Sequence, residues 1–173
     1  MDVQEFLSHG QRLLTEKDYI IVQRALDEGD APADTGNAAA DAWSRFIRNF
    51  RNELVWFRAQ RAAKDPQHFI RGVKENEPQW REVILQASKM SHPMDAQKYL
   101  DRACWNVLDD LAQGHYFDLD YLIVYGLKLK ILQRHQEYRS PRGRNLFDEI
   151  RMMEFPESCM LESGLAGGAS RVR

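Results

Sequence analysis

The most constraining feature of this chain is the run YLDRACWNVLDDLAQGHYFDLDYLIVYGLKLKILQRHQEY at residues 99–138, its longest dense apolar stretch. It reads as two helices joined by a short polar turn. On the first, Ala96, Leu100, Ala103, Cys104, Val107, Leu108 and Leu111 recur at three- and four-residue spacing, which places them on one face at 3.6 residues per turn. On the second, Leu119, Leu122, Ile123, Val124, Tyr125, Leu127, Leu129, Ile131 and Leu132 cover nearly the whole circumference. Such a helix is expected at the centre of a fold, enclosed by other elements. The turn carries boundary chemistry: Gly114 is placed for a left-handed residue after the first helix, and Asp118 for the N-cap of the next. Asp118 can accept from the amides of Asp120 and Tyr121, and both carboxylates suit the positive end of the helix dipole. His115, Tyr116 and Phe117 are too apolar for a solvated loop, so the corner is expected to fold back on the hairpin.

Upstream the same helical grammar repeats. Val3, Phe6, Leu7 and Leu14 suggest a short helix, and Thr15 with Asp18 three residues later marks the start of a second, running to about Glu28. Residues 30–37, DAPADTGN, gather Pro, Gly and capping side chains and read as a linker. A long helix over residues 38–64 carries Trp43, Phe46, Ile47, Phe50, Leu54 and Phe57 on one stripe, with Arg45, Arg48, Asn49 and Asn52 on the other side as a solvated face. Asp65-Pro66 is expected to end it. Residues 67–78 are polar and show no period, whereas Trp80, Val83, Ile84 and Ala87 define a shorter helix. After SPRGR at 140–144, Leu146, Phe147, Ile150 and Met153 suggest one more. No strand-like alternation and no solenoid repeat is visible.

The expected fold is all-α: an irregular bundle of about six to seven helices around a central buried helix at about residues 118–138. One helical domain spans residues 1–156, made of an N-terminal pair at 1–29, the linker at 30–37 and a main bundle at 38–156. A flexible Gly/Ser/Ala-rich tail is expected at 157–173. With 173 residues, 43% hydrophobic and 29% charged, the chain can bury a full core, which excludes disorder throughout. Cys104 in a helical face and Cys159 in the tail make no disulfide framework, so a reducing compartment, by default the cytoplasm, is expected. Lys128 and Lys130 interrupt the one apolar run before it could span a bilayer, leaving membrane contact indirect.

Catalytic groups do not converge in this sequence. No phosphate loop, GxSxG, HExxH or paired CxxC occurs. Glu5 with His9 and Asp65 with His68 share helical faces, but two ligands do not make a metal site. Asp109, Asp110, Asp118 and Asp120 suggest an acid-base pair less well than they suggest surface and capping positions. Cys104, on a buried stripe, is expected to be inert. Accordingly no catalytic residue, metal site or cofactor is assigned. The net charge of -2 opposes a dedicated nucleic-acid binder, although residues 42–74 carry eight Lys/Arg against Glu53 and Asp65. Arg45, Arg48, Arg51 and Arg58 would serve such a module, and a His/Asp metal-dependent enzyme is a more remote alternative. Trp56 and Trp105 both point away from their helices' apolar stripes; each is either covered by a neighbouring helix or a partner-facing anchor. The candidate partner-binding residues are Arg45, Arg48, Trp56, Trp105, His115 and Asp118.

Two stretches carry a wider resemblance. WSRFIRNFRNELVWFRAQRAAKDP at 43–66 and YLDRACWNVLDDLAQGHYFDLDYLIVYGLKLKILQRH at 99–135 resemble a bacterial protein family of undefined biochemistry, and the opening EFLSHGQRLLTEKDYIIVQRAL is similar to its early segment. Members are commonly encoded with subunits of V-type (vacuolar/archaeal-type) ATP synthases. They carry a Leu-Pro element ahead of the EFL segment that this sequence lacks, and an Arg-Trp where it has Arg134-His135. The resemblance implies a non-catalytic accessory or subunit-C-like component of a V-type ATPase, with that enzyme's subunits as partners. Any membrane association would be peripheral, through the complex.

Overall fold

A computed structural model of the chain describes residues 1–27, 35–73, 75 and 77–139. Among the described residues six helices form in order: α1 (Val3–Leu13), α2 (Glu16–Leu26), α3 (Ala38–Arg61), α4 (Pro78–Ser88), α5 (Pro93–Leu111) and α6 (Leu119–Arg139), with a 3₁₀ turn at Pro66–Phe69. Among the described residues there is no strand, and the protein is all-α. The chain divides into two units, Met1–Arg134 and His135–Arg173. The expected helix near Leu146 and tail at 157–173, and residues 30–34 of the expected linker, lie outside the described residues.

Local chemistry explains most helix ends. Asp2 caps α1 by accepting from the Glu5 amide at 2.7 Å. Thr15 caps α2, its Oγ1 accepting from the Asp18 amide at 3.2 Å and donating to the Asp18 carboxylate at 2.8 Å. Asn37 caps α3 through the Ala40 amide at 2.9 Å, and proline opens both α4 and α5, where its missing N–H costs nothing. The end of α3 differs from the expected stop at Asp65-Pro66. The helix closes at Arg61, because Ala63 turns left-handed at φ 50° and lets the Lys64 amide donate back to the Ala59 carbonyl at 2.9 Å. That is a Schellman closure with alanine where glycine is usual. Asp65 instead caps the following 3₁₀ turn, accepting from the Gln67 amide at 3.0 Å.

Within residues 1–134 the core joins all six helices. It gathers Phe6 of α1, Ile21, Val22 and Leu26 of α2, Trp43, Phe46 and Phe50 of α3, Ile84 of α4, Cys104 and Leu108 of α5, and Ile123, Val124, Leu127 and Ile131 of α6. The α3 stripe is the expected one. Trp80 of α4 closes over it, its ring 4.9 Å from Phe46 and 5.9 Å from Phe50, both edge-on.

Two expectations about faces are corrected. The far side of α3 is not simply solvated, since Asn49, Asn52 and Glu53 are all buried. Arg71 and Glu77, after the 3₁₀ turn, meet the two asparagines, and Arg81 of α4 lies 3.8 Å from Glu53. Asn52 donates to the Arg71 carbonyl at 2.9 Å and accepts from the Arg71 amide at 3.0 Å, taking both backbone groups of a residue that has no helix or strand to supply them. Asn49 donates to Glu77 at 3.0 Å, and Glu77 in turn accepts from the Trp80 indole. Helix α6, for its part, is not enclosed all round. Ile123, Val124, Leu127 and Ile131 are buried, but Tyr121, Tyr125 and Leu132 form a stripe on the opposite side that stays about 40% exposed or more. Gly126 lies on the covered side, where a Cβ would sit 2.8 Å from the Phe6 ring and 3.1 Å from Leu26.

Candidate functional site

The α5–α6 corner is built from two helix ends. Gly114 at φ 82° carries the chain past α5, and the His115 amide still donates to the Ala112 carbonyl at 3.1 Å. Asp118 then caps α6, one carboxylate oxygen accepting from the Tyr121 amide at 2.9 Å. The other oxygen meets His115 Nδ1 at 2.7 Å. Asp120 lies 3.7 Å from the same ring nitrogen and also accepts from the side chain of Asn37, the residue that caps α3. The starts of α3 and α6 are thereby tied together at this corner.

The electrostatics follow from that geometry. The hydrogen bond to Asp118 raises the His115 pKa above its ordinary 6.5, with the Asp118 and Asp120 charges adding to the effect. The Asp118 carboxyl is held below 3.8, first by the Tyr121 amide and then by His115. His115 and Asp118 therefore form an ion pair across the corner under mildly acidic conditions.

What this latch carries reverses the expectation that the corner folds back. Phe117 is fully exposed, at 104%, and Tyr116 is 72% exposed. Two aromatic side chains stand in water on a loop whose flanking residues are pinned. Tyr121, one helical turn beyond Phe117, extends the exposed aromatics onto α6. The sequence marks Asp118 as the cap and both His115 and Asp118 as candidates, but the expectation that His115, Tyr116 and Phe117 fold back on the hairpin misses the exposed rings. Alternating polarity does not report which way a loop leans.

The other sequence candidates are not gathered at this corner. Arg45 is exposed on α3, and Arg48 is half-buried with its Nε enclosed and, among the described residues, without a hydrogen-bond partner. Trp56 is half-buried eleven residues beyond Arg45, a separation of roughly 16 Å along a helix. Trp105 is half-buried on α5, covered by Lys128 of α6, whose ammonium lies 5.3 Å from the ring centre and 2.6 Å from Asp109. Cover by a neighbouring helix, weighed above for both tryptophans, thus describes Trp105.

Of the chemistry weighed from sequence, His9 bonds Arg12 at 2.8 Å, and His68 lies 3.7 Å from Asp65 with both exposed. Among the described residues no group of three or more His, Cys, Asp or Glu is placed to hold a metal ion. Cys104 is buried, and burial pushes its thiol up to about 12, with Asp101 adding to the rise. Asp101 of α5 is also buried; it pairs with Arg134 of α6 at 2.6 Å and accepts from Gln97 at 2.9 Å. Among the described residues no helix is long and apolar enough to cross a membrane.

The family model described as "Protein of unknown function (DUF2764)" matches residues 29–154. The chain belongs to this family. The match takes in α3 to α6 and all six candidate residues, and it leaves α1 and α2 outside. No curated protein and no solved structure matches the chain. The exposed corner is therefore a feature within the DUF2764 region, as are the buried Asn52 clamp and the Asp101–Arg134 pair.

Proposed function

We propose that this DUF2764 protein is a non-catalytic accessory, subunit-C-like component of a bacterial V-type ATPase, acting through protein–protein contacts. The observation that carries the docking role is the α5–α6 corner, where Phe117 and Tyr116 are exposed between capped and latched residues. An exposed aromatic pair is costly to leave in water and valuable to bury in a partner, and such residues dominate binding energies at interfaces. The rotary ATPase as partner rests on the resemblance of residues 43–66 and 99–135. The arginine alternative has less support, because Arg45 and Arg58 lie thirteen residues apart, about 140° around the helix, and do not share a face.

The test is recovery of the enzyme with the chain. A tagged chain at native expression should co-purify the ATPase subunits from gently solubilised membranes, and Phe117→Ala should weaken that association by about 2 kcal/mol, the level of a hot spot. Recovery of the folded chain free of every ATPase subunit would overturn the assignment.

A further inference from the structure

Phe117 and Tyr116 are set in an acidic frame. From Asp109 to Asp120 the chain carries four carboxylates, at 109, 110, 118 and 120, and no lysine or arginine. The Asn37–Asp120 bond also brings the start of α3 to the corner, with Asp41 in its first turn. Two of these acids face a cation directly: the Lys128 ammonium lies 2.6 Å from Asp109, and His115, when protonated, lies 2.7 Å from Asp118. Asp110 remains exposed, and Asp118 is half-exposed beside its histidine. The surface is thus two exposed aromatic rings on a corner whose carboxylates outnumber its cations.

We infer that Phe117 and Tyr116 enter an apolar pocket with a basic rim on a partner protein. This inference rests on the docking role proposed above and names the chemistry of what is docked to. The charge excludes the other occupants in turn. An anionic bilayer or a nucleic acid that took up the rings would bring its own negative charge against a corner where carboxylates outnumber cations. A second copy in a two-fold contact would set this acidic frame against itself. A lysine- or arginine-rimmed pocket instead buries the rings and complements the frame, which speeds encounter and fixes orientation. The latch serves the same end, because a tip held in place before binding loses less freedom on docking.

The experiment is site-specific crosslinking in intact cells, with p-benzoylphenylalanine in place of Phe117. The position is fully exposed, so the replacement leaves the fold alone. The expected product is one adduct with another protein, in which the crosslinked peptide or its structural neighbours supply lysine or arginine around apolar side chains. Asp110→Lys in the same background should cut adduct yield about fivefold, since a rim charge acts mainly on encounter. A lysine near the end of α5 also suits that helix's dipole, and the variant should melt as the parent does. An adduct with lipid, with the chain itself or with a second copy overturns the inference, as do no adduct and an adduct in an acidic or uncharged surface. The two proposals fail separately. A basic-rimmed partner that is no ATPase subunit removes the ATPase and keeps the pocket, whereas an ATPase subunit reached through an acidic surface does the reverse.

Discussion

At the scale of single residues, two positions carry more than their neighbours. Ala63 occupies the left-handed site that closes α3, at φ 50°, and is exposed there. A Cβ in that conformation costs roughly 1–2 kcal/mol, which glycine avoids at the expense of a more flexible unfolded chain. Ala63→Gly should therefore stabilise the protein by about 0.5–1 kcal/mol, read as a higher urea midpoint with an unchanged slope. His115 is the second position. Its pKa is raised by Asp118, so its contribution is fully present below pH 6.5 and fades as the pH rises through the higher folded value. Asp118 is shifted the opposite way, and its contribution is present above 3.8 and lost as the pH falls through its lower folded value. The corner is most firmly latched in the window between those two ordinary values. An NMR titration of the His115 ring should give a midpoint above 6.5 that falls back in Asp118→Asn; a midpoint at or below 6.5 in the parent would mean the latch does not form in solution.

Among the elements, α6 shows how far a pattern can be read. Its apolar residues run all round, and from the sequence this implies enclosure. The structure encloses the side bearing Ile123, Val124, Leu127 and Ile131, and leaves Tyr121, Tyr125 and Leu132 half-exposed. Periodicity locates a helix and its apolar positions, but choosing the covered face needs the neighbours, and tyrosines tolerate a half-wet site. The same limit hid the polar side of α3. Trp43, Phe46 and Phe50 were legible because they repeat at helical spacing, whereas Asn49, Asn52 and Glu53 look like solvent residues until Arg81 of α4 faces the glutamate and the segment around Arg71 meets the two asparagines. That segment has no period of its own, so nothing in it announced where it would pack. At the α5–α6 corner, the cap and the glycine were legible as local chemistry, and the exposure of Phe117 was not. A signal available but unused was Gly126, alone inside an otherwise apolar helix, where a small residue marks close approach. Gly126→Ala should gain about 1 kcal/mol of helix propensity and lose more by driving a methyl within 2.8 Å of Phe6, for a net loss of about 1 kcal/mol. A thermal melt that rises in this variant would show that α1 gives way freely.

For the whole molecule, the central question is what α1 and α2 contribute to a body whose family match begins after them. They are not an appendage in the structure. Phe6, Ile21, Val22 and Leu26 belong to the common core, and Phe6 stacks near Tyr125 at 5.6 Å. Lys130 of α6 donates to the Leu26 carbonyl at 2.6 Å, satisfying an acceptor at the end of α2, and the Val3 amide reaches Gln133 at 3.4 Å. Burying four large apolar side chains is worth roughly 6–12 kcal/mol before the entropy of ordering them. That is comparable with the entire stability of a typical domain, about 5–15 kcal/mol. The same helices cover Gly126 and its neighbours on α6, so removing them would add a freshly uncovered apolar face to the stripe already exposed at Tyr121, Tyr125 and Leu132. A chain lacking residues 2–26 should therefore lose its cooperative urea transition and its near-ultraviolet signal, and should sediment as aggregate at concentrations where the full chain does not. If instead the shortened chain melts cooperatively with helical content reduced only by the deleted turns, then α3 to α5 suffice to hold α6, and the N-terminal pair is an addition to a fold complete without it.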